Sequence, residues 1–368
     1  MKFRCDSKQL TEAIQTAIRV MAVRTPMEIL EGILLDADEY GLTVTASDGN
    51  MSTVCRIDAE IETDGMVLLP GRLISEIIRK LPYGTIEASL SNRFVLTIRC
   101  QGSRFNVAGR NGEEFPIPED RGLGECISLP QPMLKEMIHL TSFAVPLEDQ
   151  RVILTGGFLN MQNGDIDMVG LDGFRMAVKS ARVSDLDSAA KAIIPKKALD
   201  EIEKLMGDDE NEMTRLRFGP GRLMIESGST RFFTSLIEGE YIDYHRVIPR
   251  DFKLFATVNT ADFASCVERA ALIARSSRNN LIKLEISENL VVLSATSETG
   301  DVREELLANT EGDELTISFN VKYLSEMARV ITGERVILKF GTSVTPCVIT
   351  PEDGNDFTCL ILPVRTNA

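Results

Sequence analysis

Two runs of alternating apolar and polar residues lie near the middle of the chain, within residues 151–178. Asn163-Gly164 separates them, and this dipeptide readily takes the positive φ angles that a two-residue hairpin turn needs. The pattern therefore predicts a strand, a tight turn and a second strand. The second strand leads into the segment Leu171-Asp172-Gly173-Phe174-Arg175-Met176.

This hairpin pattern occurs three times along the chain. The acidic residues at its end are spaced by 124 and 126 residues: Asp48, Asp172 and Glu298. A second set of landmarks opens helix-like runs at spacings of 125 and 125 residues: Pro70, Pro195 and Asn320. The period is too long for a solenoid repeat of ~20–50 residues and suits whole domains of ~100–150 residues. We therefore expect three similar domains, over residues 1–123, 124–250 and 251–368.

Each predicted domain contains two runs with apolar residues at helical spacing and roughly eight runs that alternate like strands. An acidic or hydroxyl cap, Asp6 or Ser7, precedes the first helix. The fold class that follows is α+β, with helices on one side of an antiparallel sheet layer. The helices are expected over residues 8–21, 71–81, 131–143, 195–206, 260–275 and 320–331.

Charge is distributed unevenly between the predicted elements. The chain has a net charge of −15, whereas the six helical segments, with the fifth counted to residue 278, together carry +5 and the remainder therefore −20. One interpretation is an ordinary solvated helix face. The other is a positive surface inside an acidic shell, which would hold a DNA backbone without reading its sequence.

Composition indicates the cellular compartment in which the protein is expected. No apolar run reaches the ~20 residues of a membrane span, and the N-terminus lacks the apolar core of a signal peptide. Seven scattered cysteines without a CxxC pair indicate reduced thiols. We expect a soluble, cytoplasmic protein.

Candidate chemistry is sparse. The sequence contains no phosphate-binding glycine loop, no nucleophile elbow and no paired metal ligands, since its two histidines, His139 and His245, stand apart. Asp165 and Asp167 alternate along a strand and are expected on its solvent face, and Asp172 is expected to accept backbone N–H groups in its turn. A hydrolase that uses Asp165, Asp172 and His245 remains an alternative. We expect no catalytic residue, metal or cofactor.

Several motifs resemble one family, the beta subunit of bacterial DNA polymerase III, or beta sliding clamp. The resemblance covers the full length and depends on the triplicated domain and on five segments: Met1-Lys2-Phe3, Leu69-Pro70-Gly71-Arg72, residues 172–178, residues 241–249 and Leu360-Ile361-Leu362-Pro363-Val364-Arg365.

The resemblance implies a non-catalytic DNA-clamp fold. Two three-domain chains would join head to tail as a homodimeric ring, with helices inside and sheets outside. The ring would encircle double-stranded DNA without sequence specificity and would tether the replicative polymerase, the clamp loader and repair proteins for processive synthesis. It would be associated with the nucleoid during replication. An alternative is a peptide-binding scaffold of the same fold without a DNA role.

The resemblance also implies site residues. The positions that would face DNA are Gln15, Arg24, Arg72, Lys196 and Lys197. The dimer contacts would be Phe105, Leu272 and Ile273. An exposed aliphatic cleft rimmed by arginines would bind a short peptide with a glutamine followed by leucine and phenylalanine; its residues would be Leu154, Leu171, Gly173, Phe174, Arg175, Met176, Ile242, Arg246, Val247, Leu360, Ile361, Leu362, Pro363, Val364 and Arg365.

Three departures from the family pattern affect this cleft. Ile242 stands where proline is usual, Phe174 stands where histidine or tyrosine is common, and Thr366-Asn367-Ala368 extends past the usual end.

Overall fold

The computed structural model describes residues 1–184, 189–354 and 356–365. The helices that it contains begin and end within two residues of the predicted ones. Asp6 caps the first helix, because its carboxylate accepts the backbone N–H groups of Lys8 and Gln9 at 2.8 and 3.1 Å. The helices are α1 (Ser7–Val20), α2 (Gly71–Lys80), α3 (Gln131–Ser142), α4 (Lys196–Leu205), α5 (Thr260–Ala274) and α6 (Val321–Val330).

Twenty-five strands are found in the described ranges, and three short 3₁₀ turns cover Glu28–Glu31, Val152–Thr155 and Tyr244–Arg246. The first predicted domain contains β1 (Lys2–Asp6), β2 (Gly32–Asp38), β3 (Gly41–Ser47), β4 (Met51–Ile57), β5 (Ala59–Thr63), β6 (Gly65–Pro70), β7 (Thr85–Leu90), β8 (Val95–Cys100) and β9 (Ser103–Ala108). The second contains β10 (Cys126–Pro130), β11 (Gly156–Gln162), β12 (Asp165–Leu171), β13 (Arg175–Arg182), β14 (Ala190–Pro195), β15 (Met213–Gly219), β16 (Arg222–Ser227) and β17 (Thr230–Ser235). The third contains β18 (Leu254–Asn259), β19 (Leu281–Ser287), β20 (Leu290–Ser297), β21 (Gly300–Gly312), β22 (Leu315–Asn320), β23 (Arg335–Phe340), β24 (Cys347–Pro351) and β25 (Phe357–Ile361).

The chain divides into two compact units. The N-terminal unit comprises residues 1–132 and 201–236, and the C-terminal unit comprises residues 133–200 and 237–368. The N-terminal unit has two antiparallel sheets, in the orders β5-β1-β7-β8-β9 and β10-β15-β16-β17-β4-β3-β2-β6. The C-terminal unit has one sheet of twelve strands, in the order β14-β11-β12-β13-β25-β24-β23-β18-β21-β20-β19-β22.

Strand ladders cross both predicted domain borders. In the N-terminal unit β17 pairs with β4, and in the C-terminal unit β13 pairs with β25. Because each ladder continues a sheet from one repeat into the next, the compact units do not coincide with the repeats. Each unit packs helices against its sheets: Ile14 of α1 and Ile74 of α2 are fully buried in one core, and Phe263 of α5 is fully buried in the other.

The central hairpin has the predicted turn. Asn163 and Gly164 have φ angles of 54° and 86°, and they connect β11 to β12. At the far end of β12, Asp172 accepts the backbone N–H groups of Phe174 and Arg175 at 2.9 and 3.0 Å, as expected. Asp48 makes the same pair of contacts in the first copy, to the N–H groups of residues 50 and 51.

The third copy differs from this pattern. Ser297 pairs directly with Gly300, so that only Glu298 and Thr299 connect β20 to β21. In the two other copies four residues separate the last paired positions. The Ser297 hydroxyl, and not the Glu298 carboxylate, accepts the N–H of Thr299 at 3.2 Å. The hairpin turns align Asp165 with Leu290, so Asp172 corresponds to Ser297, and the sequence alignment of Asp172 with Glu298 was off by one residue.

Gly170 positions β12 closely against the end of α3. A Cβ atom at this position would lie 2.3 Å from the carbonyl oxygen of Thr141 and 2.9 Å from Val145. We expect Gly170→Ala to lower the free energy of unfolding by about 1–3 kcal/mol, because the backbone of Thr141 has to move. Thermal unfolding followed by circular dichroism measures this change. Gly102→Ala is the matched control, since a Cβ atom added there would meet no atom within 4 Å apart from its own chain neighbours in the described residues; equal unfolding midpoints for the two variants would contradict the assignment.

Candidate functional site

An apolar cluster forms in the C-terminal unit around the end of β12. Leu154, Leu171, Met176 and Leu360 are all at most 5% exposed and pack in this cluster, and Ile242 packs at its edge. The β13–β25 ladder places Met176 directly opposite Leu360, although the two are far apart in sequence. The structure thus brings together five of the residues that the sequence suggested for a peptide pocket.

These buried residues form a floor, whereas the accessible apolar surface lies above it. Phe174 is 58% exposed, Val247 is 43% exposed and Val364 is 37% exposed. The C-terminal segment is fixed to the turn, because the Leu362 N–H donates to the carbonyl oxygen of Phe174 at 2.8 Å. The expected cleft of exposed aliphatic residues is therefore replaced by a buried aliphatic floor with an exposed rim, which we call the groove.

The remaining predicted groove residues are distributed around it. Pro363 is half-buried and Arg365 is exposed. Ile361 is fully buried, but it belongs to the main core of the C-terminal unit and not to the groove cluster. Gly173 has a φ of +89°, and a Cβ there would lie 2.9 Å from the guanidinium group of Arg151. The Thr366-Asn367-Ala368 extension lies outside the described residues.

Arg175 does not lie on an exposed rim, contrary to expectation. Its side chain is 6% exposed and forms ion pairs with Asp172, at 3.0 Å, and with Glu326. Its guanidinium lies 4.8 Å from the ring centroid of Tyr323 and 5.4 Å from that of Phe143. Buried charge is stable only when it is paired in this way, so Arg175 holds the turn in place and leaves few donors for a ligand.

Arg246, by contrast, lies on the surface. Its side chain is 87% exposed and pairs with Asp243 at 2.9 Å. An exposed pair of this kind contributes little to stability, so a ligand carboxylate could displace Asp243 at low cost. Of the three expected groove arginines, Arg246 and Arg365 are therefore exposed, whereas Arg175 is buried.

Sequence reasoning missed the aromatic residues that support the groove. Tyr323 stacks on Phe174 with ring centroids 5.9 Å apart, and Tyr241 stacks on Phe158 at 4.8 Å. Tyr244 is 4% exposed and belongs to the groove cluster. A usable signal existed, since three of only five tyrosines in the chain meet here and two of them lie in the family motif at 241–249.

The N-terminal unit contains three of the predicted DNA-facing residues. Arg24 and Arg72 are exposed, line a common cavity of about 1000 Å³ and form no ion pair within the described residues. Arg110 lines the same cavity but pairs with Glu28 at 3.2 Å. Gln15 is half-buried and donates to the Ser75 hydroxyl at 3.0 Å, which ties α1 to α2. Two cations are thus free for an anionic partner, while Gln15 has a structural contact.

The C-terminal unit contains the other two predicted DNA-facing residues, Lys196 and Lys197. Lys197 is exposed and has no ion pair in the part of the chain that the structure describes. Lys196 pairs with Asp200 one turn further along α4, and its side chain is 17% exposed. Lys197 is therefore the more available of the two lysines.

The predicted dimer residues lie beside open strand edges, one in each unit. Phe105 is 39% exposed on β9, which is the last strand of its sheet. In the C-terminal unit, residues 300–307 of β21 pair with β20 alone, because β18 pairs only with residues 308–312. Leu272, at the end of α5, is 71% exposed, and Ile273 is partly buried against the core. Open edges with adjacent apolar side chains are typical of surfaces that another strand covers.

The positions of the aspartates do not support the hydrolase alternative. Asp165 pairs with Arg182 at 2.9 Å on the surface, and Asp172 is committed to its turn and to Arg175. Asp167 is half-buried and not on the solvent face as expected. Among the described residues no group of three candidate ligands could hold a metal, and no helix is both long and apolar enough to span a membrane.

Comparisons with known proteins cover the whole chain. Family models of the DNA polymerase III beta subunit match three successive stretches: the N-terminal domain over residues 1–119, the central domain over 128–243 and the C-terminal domain over 245–365. The beta sliding clamp of Staphylococcus epidermidis is 32% identical, with all of both chains covered.

Solved structures give the same result. The sliding clamp of Bacillus subtilis DNA polymerase has a TM-score of 0.94 and 32% identity, and the DNA polymerase III beta subunit of Pseudomonas aeruginosa, solved with griselimycin bound, has a TM-score of 0.93 and 25% identity; both cover each chain completely. The predicted three-domain α+β clamp fold is thereby confirmed. The chain belongs to the family of the DNA polymerase III beta subunit, the beta sliding clamp.

Proposed function

We propose that this chain is a DNA sliding clamp of replication, a non-catalytic processivity subunit. The observation that carries this conclusion is the match of all three beta-subunit domains, in order, over the full chain. A clamp acts by topology: it keeps the polymerase near its template, so that the effective local concentration replaces tight binding.

We propose that two chains close a ring head to tail, through β9 of one chain and β21 of the other. The two open edges have similar lengths: six residues in β9, and eight residues in the part of β21 that pairs with β20 on one side only. Phe105 stands on one edge and Leu272 is exposed in the unit that bears the other, so strand pairing would be accompanied by apolar burial. A heterologous interface of this kind closes into a ring when its rotation allows.

Duplex DNA is the proposed occupant of the ring. Arg24, Arg72 and Lys197 are exposed cations without ion pairs in the described parts of the chain, while the chain as a whole has a net charge of −15. Contacts of a few cations with phosphates are salt-dependent and independent of sequence. Such contacts permit sliding, because no base contact fixes the position of the ring.

The groove is the proposed site for the polymerase, the clamp loader and repair proteins. Its apolar floor is buried, and its exposed rim residues, Phe174, Val247 and Val364, offer contacts for leucine and phenylalanine side chains of a short linear peptide. Arg246 at the rim is available for an acidic or carbonyl group of that peptide.

We further propose domain borders near residues 123 and 250, and a cytoplasmic location with nucleoid association during replication.

The ring is tested by retention on DNA. A labelled clamp, loaded by its cognate clamp loader with ATP, is expected to stay on nicked circular DNA and to leave when the circle is linearised, because it can then slide off an end. Gel filtration of the DNA-bound fraction measures retention.

Arg24→Glu combined with Arg72→Glu and Lys197→Glu should reduce the slope of log affinity against log salt by about one per lost phosphate contact.

The matched control for these charge reversals is Lys283→Glu, which reverses an exposed strand cation that pairs with Glu285. Equal retention on circular and linear DNA would contradict the ring. A salt slope unchanged by the triple charge reversal would contradict the assigned DNA contacts.

The groove is tested by peptide affinity. Phe174→Ala is expected to weaken binding of a fluorescent peptide with the glutamine, leucine and phenylalanine motif by about tenfold, or about 1.4 kcal/mol, because an exposed aromatic anchor is lost. Fluorescence anisotropy measures the affinity. Tyr83→Ala removes an aromatic side chain that is 84% exposed in the N-terminal unit and should leave binding unchanged. Equal affinities of wild type and Phe174→Ala would remove Phe174 from the site.

A further inference from the structure

A short irregular segment, residues 241–248, forms one side of the groove cluster; we call it the strap. It contributes Ile242 and Tyr244 to the cluster, and it bears Arg246 and Val247 on its exposed side. In the part of the chain that the structure describes, its backbone hydrogen bonds are internal, from Arg246 to Asp243 at 3.3 Å and from Val247 to Tyr244 at 3.1 Å. The strap is therefore held to the sheet by side chains and not by a strand ladder.

The Tyr244 side chain joins the strap to the sheet through polar contacts, one of them with Asn160 of β11. The Tyr244 hydroxyl donates to Asp167 Oδ2 of β12 at 2.6 Å, and the Ser180 hydroxyl of β13 donates to the other oxygen of the same carboxylate. The Tyr244 ring lies edge-on to Phe158, with centroids 6.3 Å apart. A hydrogen bond to a carboxylate is stronger than a neutral one, and more so where water is excluded.

The chemistry of this bond suits a permanent contact. Burial, first, and then the Asp167 carboxylate raise the pKa of the Tyr244 phenol above its usual value. The phenol therefore remains protonated, and remains a donor, throughout the neutral range. Removing the hydroxyl would leave one oxygen of a half-buried carboxylate without its partner, which costs more than the bond alone contributes.

The three repeats differ at this position. The pair Asp167 and Ser180 occupies facing positions of β12 and β13. The facing residues at the same register are Thr43 and Arg56 in the first copy, and Val292 and Glu305 in the third. Only the second copy has a carboxylate with a facing hydroxyl there, and it is also the copy that carries Phe174 at the groove. The acceptor for the strap is thus a feature of the docking repeat and not of the shared fold.

We propose that the Asp167–Tyr244 hydrogen bond positions the strap as a wall of the groove, and that it keeps the groove ready for a partner peptide. This inference depends on the proposed function of the groove. When the strap is docked for only a fraction of the time, the apparent affinity for a peptide falls by that fraction. Asp167 and Tyr244 are positioning residues in this account, since neither has to touch the peptide.

The experiment combines peptide affinity with local hydrogen exchange in the full-length chain. Tyr244→Phe is expected to weaken binding of the fluorescent glutamine-leucine-phenylalanine peptide by about three- to tenfold and to speed amide exchange in residues 241–248, with little change in exchange of the β11–β13 core. Asp167→Asn should behave similarly. The double variant should be no weaker than the weaker single variant, because the two side chains act through one bond.

Asp165→Asn is the matched control. It alters a carboxylate two residues away on the same strand, whose partner is the exposed Arg182, and it should change neither affinity nor exchange of the strap. Wild-type affinity of Tyr244→Phe together with unchanged exchange of residues 241–248 would overturn the inference, as would additive losses in the double variant. A wild-type chain that binds no such peptide would overturn the proposed groove function as well, whereas a binding wild type limits the failure to the strap.

Discussion

The ladder between β13 and β25 is the interaction on which the groove depends. It pairs residues 175–179 with residues 357–361 and so makes one continuous sheet from two repeats of the chain. Backbone hydrogen bonds fix the register of such a ladder, and a slip by one residue would turn every side chain to the other face. Met176 and Leu360 meet in the floor only at this register. The docking surface is therefore a consequence of how two repeats are joined.

Division of labour between side chains explains how one repeat became a docking site without losing its fold. Asp172 keeps the turn contacts that Asp48 makes in the first copy. Arg175 is enclosed by two carboxylates and two aromatic rings, which immobilises the base of the turn. Phe174 stands between these two anchored residues and projects its ring outward. Rigid support beneath an exposed apolar residue lowers the entropic cost of binding.

Much of this architecture could be predicted from the sequence. Helix limits were accurate because apolar periodicity and caps such as Asp6 act within a few residues, and the Asn163-Gly164 turn depends on local φ preferences. Residues whose roles arise from contacts distant in sequence were misjudged. Arg175 was expected at an exposed rim because its partners Glu326 and Tyr323 are far from it in sequence. Asp167 fits an alternating strand pattern, and only the folded chain shows that Tyr244 covers it. Glu298 was aligned with Asp172 in place of Ser297 because the landmarks, and not the strand register, aligned the copies.

Ring closure is the central claim, since topology alone gives a weakly binding clamp its function. The most direct measurement is the solution mass of the purified chain by light scattering at micromolar concentration. The account predicts twice the 40.7 kDa of a single chain, because the open edges of β9 and β21 each require a partner. A stable monomer, unchanged in mass as the concentration rises, would contradict the account.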